Sequence, residues 1–211
     1  MRARLLARDD VAYVEIDHRA RAYDLDRTIP RGEIAANWQP NDPMLLEQWS
    51  LAAMNVSAGW DITRGSGVTV AVLDTGVDYN HPDLKGRVTK GRDFVDKDAD
   101  PMDQVGHGTH VSGVIAANGD DGYGMAGIEP NANILAVRVL DKSGSGDYSW
   151  VANGIVYAVQ QGAKVINLSL GGDDPSPLLE SAVNYATARG VTVTCASGNE
   201  SAKAVGYPAR Y

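Results

Sequence analysis

Three short segments of the chain hold side chains that could act together in catalysis. Asp74 follows an apolar run and precedes a tight turn, His107 begins a segment rich in small residues, and Asn199 follows another apolar run. An aspartate can fix the tautomer of a histidine and stabilise its imidazolium form. The histidine can then act as a general base near neutral pH. An asparagine amide can donate a hydrogen bond to a developing oxyanion.

Other kinds of chemistry fit the same segments less well. His107 and His110 are three residues apart and could form a metal pair, but there is no His-Glu-x-x-His segment and the one cysteine, Cys195, is distant. Gly144-Ser145-Gly146 resembles the start of a dinucleotide-binding loop, yet polar residues precede it and no third glycine follows at the required spacing. Taken singly, an aspartate before a turn or a lone histidine is more often structural.

Alternating apolar runs and helical patterns predict the elements that position these residues. Buried strands are expected at residues 68–73, 133–140, 164–170 and 191–196, and helices at 51–60, 107–117, 147–161 and 177–189. This alternation is typical of an α/β fold with a doubly wound parallel sheet flanked by helices. In such sheets sites form at the carboxyl ends of strands. Asp74, Ser169 and Asn199 are therefore expected at one edge.

Composition limits the classes of function. The chain has 211 residues, enough for one domain, and a formal net charge of -8 with a sequence pI near 4.9. This acidic balance argues against nucleic-acid binding, which needs a basic face. No apolar stretch is long enough for a membrane span, and the basic N-terminus lacks the apolar core of a signal peptide. The single Cys195 excludes an intrachain disulfide and is expected to be a packing residue.

In this order and context, Asp74-Thr75-Gly76, the segment beginning Gly106-His107-Gly108 and Ser197-Gly198-Asn199 resemble the subtilisin family of serine proteases, in particular its thermitase-like branch. The resemblance covers roughly residues 11–211. It implies a subtilisin-like fold and a serine endopeptidase in which Asp74 is the triad aspartate, His107 the general base and Asn199 the oxyanion-hole side chain.

The resemblance also implies a substrate cleft for polypeptides. An extended peptide would lie between two strands that read its backbone by hydrogen bonds, and their glycines would let that backbone come close. A glycine loop needed only for turning is the alternative. Tyr148 and Val151 would shape an apolar subsite, and Gly206 would lie near the base of an open primary pocket. The cleft residues are Gly144, Ser145, Gly146, Tyr148, Ser169, Leu170, Gly171, Gly172, Ala196, Ser197 and Gly198.

Two acidic regions suit calcium, which binds six to eight oxygen atoms. Residues 118–125 match the length of the strong calcium loop of thermitase-like enzymes. That match implies the ligands Asp42, Asp83 and Asp121, with carbonyl groups of Asn118, Tyr123 and Met125. The second region resembles another site of that branch, with side-chain ligands Asp93, Asp96 and Asp98. Its carboxylates would repel one another without a cation, and a solvated acidic turn is the alternative.

The N-terminal part resembles the end of an inhibitory propeptide. Residues 1–23 are interpreted as its C-terminal remnant, residues 24–45 as an N-terminal arm and residues 46–211 as a truncated catalytic domain. The propeptide would act as an intramolecular inhibitor and be cut after Tyr23. Residues 11–16 are expected to be strand-like.

The family nucleophile lies in a Gly-Thr-Ser-Met-Ala segment that these 211 residues do not contain. The chain alone is therefore expected to be inactive. A non-catalytic calcium- or inhibitor-binding remnant and one half of a split protease are the alternatives to an incomplete endopeptidase sequence. The resemblance further implies an extracellular monomer that binds neither nucleic acid nor membranes.

Overall fold

A computed structural model of the chain describes residues 15, 17–22, 38–199 and 204–211. Within these residues the strands are β1 (Arg19–Ala22), β2 (Thr69–Asp74), β3 (Val88–Asp93), β4 (Asn133–Arg138), β5 (Ser145–Asp147), β6 (Val165–Leu168), β7 (Leu170–Gly171) and β8 (Thr192–Cys195). The α-helices are α1 (Trp49–Ala53), α2 (Val56–Trp60), α3 (His107–Ala116), α4 (Tyr148–Gln160) and α5 (Pro177–Thr187). Single 3-10 turns occur at Leu45–Glu47 and Pro82–Leu84.

Five of these strands form a parallel sheet in the order β3-β4-β2-β6-β8. Side chains alternate between its two faces. Ala71 and Leu73 pack in the cluster that includes α4 and α5, whereas Val70 and Val72 pack in the cluster that includes α3. Helices therefore cover both faces, which confirms the predicted doubly wound α/β fold.

Two local predictions differ from the structure. The helix expected at residues 51–60 is divided into α1 and α2 because Asn55 adopts a left-handed backbone conformation with φ of 53°. Strand β3 was not predicted, because its sequence VTKGRD lacks the apolar run expected of a buried strand. It lies at the edge of the sheet, where polar side chains reach solvent.

A second, smaller sheet has the order β5-β1-β7, and both of its strand pairs are antiparallel. Its central strand comes from the N-terminal segment, more than 120 residues away in sequence from its partners. Of the strand predicted at residues 11–16, only Glu15 is described, without a strand assignment, and Tyr23 lies outside the described residues. Among the helices that the structure describes, none is long and apolar enough to cross a membrane.

Candidate active site

The side chains of Asp74 and His107 are in direct contact. Asp74 is the last residue of β2 and is fully buried, and His107 is the first residue of α3. His107 Nδ1 lies 2.7 Å from Asp74 Oδ1, and only 8% of the histidine side chain is exposed. Burial raises the pKa of Asp74 above its ordinary value, and the hydrogen bond and charge of His107 act in the opposite direction. A proton held on Nδ1 leaves Nε2 as the basic ring atom.

Asp103 links the turn after Asp74 to the first turn of α3, which begins with His107. Its Oδ1 accepts hydrogen bonds from Thr75 Oγ1 and from the backbone N–H groups of Val105 and Gly106. Its Oδ2 accepts from both the backbone N–H and the hydroxyl of Thr109 in the first turn of α3. Although burial acts to raise its pKa, these hydrogen bonds outweigh burial and lower it. This positioning role of Asp103 was not predicted from the sequence.

The close approach of α3 to the turn after β2 requires a residue without a side chain at position 108. A Cβ atom on Gly108 would lie 2.1 Å from the carbonyl oxygen of Gly76 and 3.0 Å from Cβ of Asp74. Its N–H donates to Thr75 Oγ1 at 3.0 Å. Gly108 therefore permits the Asp74–His107 contact, and replacing it would push the helix away from the carboxylate.

The other predicted residues of the catalytic region follow neighbouring strands at the same edge of the sheet. Ser169 lies between β6 and β7, and its Oγ accepts from Asn167 Nδ2 at 2.9 Å. Residues 196–199 follow β8, which pairs with β6, and Ala196 N–H donates to the carbonyl of Leu168. Asn199 is exposed there. Its assignment to the oxyanion hole remains a prediction.

Strand β1 lies in the predicted cleft as an extended peptide. It pairs with β5, which contains Ser145 and Gly146, and with β7, where Arg21 lies opposite Gly171 and Ala22 opposite Leu170. Ala22 N–H also donates to the Gly144 carbonyl at 3.0 Å. The structure thus brings the two predicted cleft strands onto opposite edges of one segment, in the arrangement expected for β-augmentation.

An apolar subsite surrounds the middle of this segment. Ala20 is 1% exposed and belongs to the same buried cluster as Tyr148, Val151 and Leu170. At Gly172, a Cβ atom would lie 2.4 Å from the Tyr148 hydroxyl and 2.6 Å from the Arg19 carbonyl oxygen. Glycine is needed there because the cleft-bound backbone and the tyrosine occupy the space of a side chain.

Buried carboxylates face the loop of residues 118–125. Asp42 and Asp83 are each 4% exposed, and one oxygen of each, Oδ1, is buried without a hydrogen-bond partner. Their other oxygens accept from the backbone N–H groups of Asp120 and Met125. Burial raises the pKa of Asp83; the Met125 N–H lowers it, and the charges of Asp121 and Asp42 raise it further. The carboxylates of Asp42, Asp83 and Asp121 therefore lie near enough to repel one another, and two of their buried oxygens lack a hydrogen-bond partner.

The second acidic region already contains a cation from the protein. Arg138 at the end of β4 is 3% exposed, and its Nη1 lies 2.7 Å from Asp93 Oδ2 and 2.6 Å from Asp96 Oδ2. Asp98 instead accepts from the N–H of Asp100. Arg138 was not predicted as a site residue, although an arginine within the apolar run of residues 134–140 is itself a sign of a buried ion pair. Among the described residues, no three acidic, histidine or cysteine side chains are grouped as a metal site.

The thiol of Cys195 is not part of this chemistry. Burial of the side chain raises its pKa to about 11, so the thiol is protonated at neutral pH. It packs at the margin of the core cluster that contains α4 and α5, as expected for a packing residue.

A model of the subtilase family matches residues 65–211. The chain belongs to the subtilase family. It is 51% identical over 175 residues to thermitase from Thermoactinomyces vulgaris, which covers 82% of this chain and 63% of that protein. It is 51% identical over 178 residues to a thermophilic serine proteinase from Bacillus sp. (strain AK1), with coverages of 83% and 44%. These similarities confirm the family and the thermitase-like resemblance.

The solved structures give the same assignment. The crystal structure of a cold-adapted subtilisin-like serine proteinase superposes with a TM-score of 0.64 at 45% identity, covering 70% of this chain and 53% of that chain. The subtilase chain described here spans about half the length of the proteins it matches.

Proposed function

We propose that this subtilase is a serine-type endopeptidase that hydrolyses polypeptides. The observation that carries the proposal is the 2.7 Å contact between His107 Nδ1 and Asp74 Oδ1 beside a cleft that holds an extended segment. Asp74 would orient the imidazole, and Nε2 of His107 would remove the proton from a serine hydroxyl as it attacks the substrate carbonyl. Asn199 would donate to the resulting oxyanion.

The serine itself would be supplied by the family segment that these 211 residues do not contain. Expression of the complete reading frame, followed by casein hydrolysis, tests the proposal against its two alternatives. Hydrolysis that is lost in His107→Ala supports the endopeptidase. A stable, inactive product that ends at residue 211 supports a non-catalytic calcium-binding remnant. Activity that appears only when a second, serine-bearing polypeptide is added supports a split protease.

The cleft-bound segment is proposed to be an intramolecular inhibitor that the enzyme removes. The register supports cleavage after Tyr23, because Ala20 occupies the apolar subsite and Ala22 pairs beside Gly144. Tyr23 would then occupy the primary pocket. Mass spectrometry of the active protein should find a new N-terminus at Asp24, and cleavage found only at other positions would refute this placement.

Calcium is proposed to bind the loop of residues 118–125. The donor set fits a hard cation, since Asp42 and Asp83 each present a buried oxygen without a partner. Asp121 and the carbonyl groups of Asn118, Tyr123 and Met125 would complete the shell, and the ion would neutralise the carboxylates and tie residue 42 to the core. A second ion is proposed at Asp93, Asp96 and Asp98, where Arg138 already supplies one positive charge.

Chelation tests the calcium proposal. Removal of the ion, verified by elemental analysis, should lower the melting temperature of the chain, and added Ca²⁺ should restore it. In Asp83→Asn the melting temperature should respond less to Ca²⁺, whereas Asp173→Asn, at an exposed aspartate outside both acidic regions, serves as the matched control. An unchanged melt after verified removal would overturn the proposal.

An extracellular location is proposed from the family resemblance. The similar proteins also include an intracellular serine protease from Paenibacillus polymyxa, so location needs a direct test. Fractionation of the native host with an antibody to this chain should find the protein in the culture medium, and recovery only from the cytoplasm would refute the proposal.

A further inference from the structure

Arg19 of the cleft-bound strand contacts two carboxylates of the cleft wall. Its Nη1 lies 2.9 Å from Asp147 Oδ1, and its Nη2 lies 3.3 Å from Asp141 Oδ2. The two nitrogens of one guanidinium group therefore reach two separate acids. Side-chain exposure is 53% for Arg19 and 30% for each aspartate, so these groups meet at the rim of the cleft.

Both aspartates are positioned by the backbone of the cleft and not by Arg19 alone. Asp147 is the last residue of β5 and pairs with Arg19 in the strand register. Asp141 Oδ1 accepts from the N–H groups of Ser143 and Ser145, which directs its Oδ2 to the arginine. The acidic pair is thus part of the loop and strand that read the peptide backbone.

Side chains of β1 point alternately to the core and to the rim, so the position of Arg19 can be counted in residues from the bond to be cut. Ala20 and Ala22 point toward the core, whereas Arg19 is exposed toward the rim. If cleavage follows Tyr23, Ala20 is the fourth residue before that bond and Arg19 is the fifth.

We propose that Asp141 and Asp147 form a subsite that selects a basic side chain, arginine before lysine, at the fifth residue before the bond to be cut. The proposal rests on the endopeptidase function and extends it to a class of substrate. Arginine fits better than lysine because its planar fork can donate to both acids at once, whereas an ammonium group acts as a point charge.

Position 19 itself provides the test in the full 211-residue chain. We would measure hydrogen exchange of the amides in residues 17–22 with Arg, Lys, Gln or Glu at position 19. Exchange should become faster in that order, about 3- to 10-fold between Arg and Glu, because the ion pairs are partly exposed. The series should collapse to nearly equal rates in the double variant Asp141→Asn, Asp147→Asn.

A charge reversal separates a direct contact from a general charge effect. Asp147→Lys should recover protection in Arg19→Glu but not in the matched variant Arg21→Glu, which makes the same charge change two residues away. Equal exchange for all four residues at position 19, or an unprotected segment in the unchanged chain, would overturn the proposal. Because exchange needs no catalysis, the two proposals can fail separately. A selective subsite in the 211-residue chain, together with no casein hydrolysis by the protein from the complete reading frame, would refute the endopeptidase and leave the subsite.

Discussion

Two aspartates at the carboxyl ends of strands in the parallel sheet each have an oxygen 2.7 Å from a side-chain nitrogen that carries or can take up a positive charge. Asp74 at the end of β2 contacts His107, and Asp93 at the end of β3 contacts Arg138. Both carboxylates are almost fully buried. The partners differ, because a histidine changes charge near neutral pH whereas an arginine stays charged. Under the proposed function, the same geometry serves proton transfer at the Asp74–His107 pair and only stability at the Asp93–Arg138 pair.

The surroundings of the two pairs support this division. His107 is the first residue of α3 and contacts Asp74, while Arg138 lies between Asp93 and Asp96 and is 4% exposed at its side chain. Burial acts to lower the pKa of Arg138, but the two carboxylates outweigh it and raise the pKa. The guanidinium group of Arg138 therefore stays protonated and cannot act as a base.

The largest effect on activity is expected from Asp74→Asn, which removes the negative charge of the Asp74–His107 pair but keeps the shape of the side chain. In the protein expressed from the complete reading frame, Asp74→Asn should reduce kcat/KM for a peptide substrate by about 10⁴, because the histidine would be held in the wrong tautomer. The melting temperature should change little. A variant that keeps more than a tenth of the activity would contradict the catalytic assignment of Asp74.

Breaking the Asp93–Arg138 pair should lower stability and leave activity nearly unchanged. Arg138→Met removes one partner of a buried ion pair and should lower the free energy of unfolding by about 3–5 kcal/mol. Activity per folded molecule should remain near that of the unchanged protein. The double variant Arg138→Met, Asp93→Asn should recover part of the stability. Urea denaturation measures these changes, and a large loss of kcat at full folding would show that Arg138 takes part in catalysis.

A smaller effect is expected at Asp103, which links the Asp74 turn to α3. Because hydrogen bonds lower its pKa in the folded chain, its contribution to stability is present above the unfolded pKa of about 3.9 and is lost as pH falls through the lower folded value. Asp103→Asn should therefore lower the melting temperature at neutral pH and flatten its decline in acid. A decline that keeps its slope would place the acid sensitivity elsewhere.

The sequence predicted the parts of this arrangement that depend on local pattern. Apolar runs predicted β2, β4, β6 and β8 within a few residues. Because Asp74 directly follows such a run, it was expected at the carboxyl end of a strand, where His107 contacts it. Long-range polar contacts could not be predicted that way. Asp103, Arg138 and β3 were missed because their roles arise from partners 6 to 46 residues away, and neither charge nor periodicity identifies such partners.

The N-terminal strand illustrates the same limit. Residues 1–23 resembled a propeptide end, but nothing in the order of residues assigned Arg19 to Asp141 and Asp147, which follow more than 120 positions later. Only the antiparallel register between β1 and β5 brings those charges together.

Labelling with a fluorophosphonate probe tests the central claim, that Asp74 and His107 activate a serine, most directly. The protein from the complete reading frame should be labelled on one serine outside residues 1–211, and His107→Ala should remove the labelling while the fold persists. The 211-residue chain alone should remain unlabelled. Labelling of that chain, or labelling that persists in His107→Ala, would contradict the account.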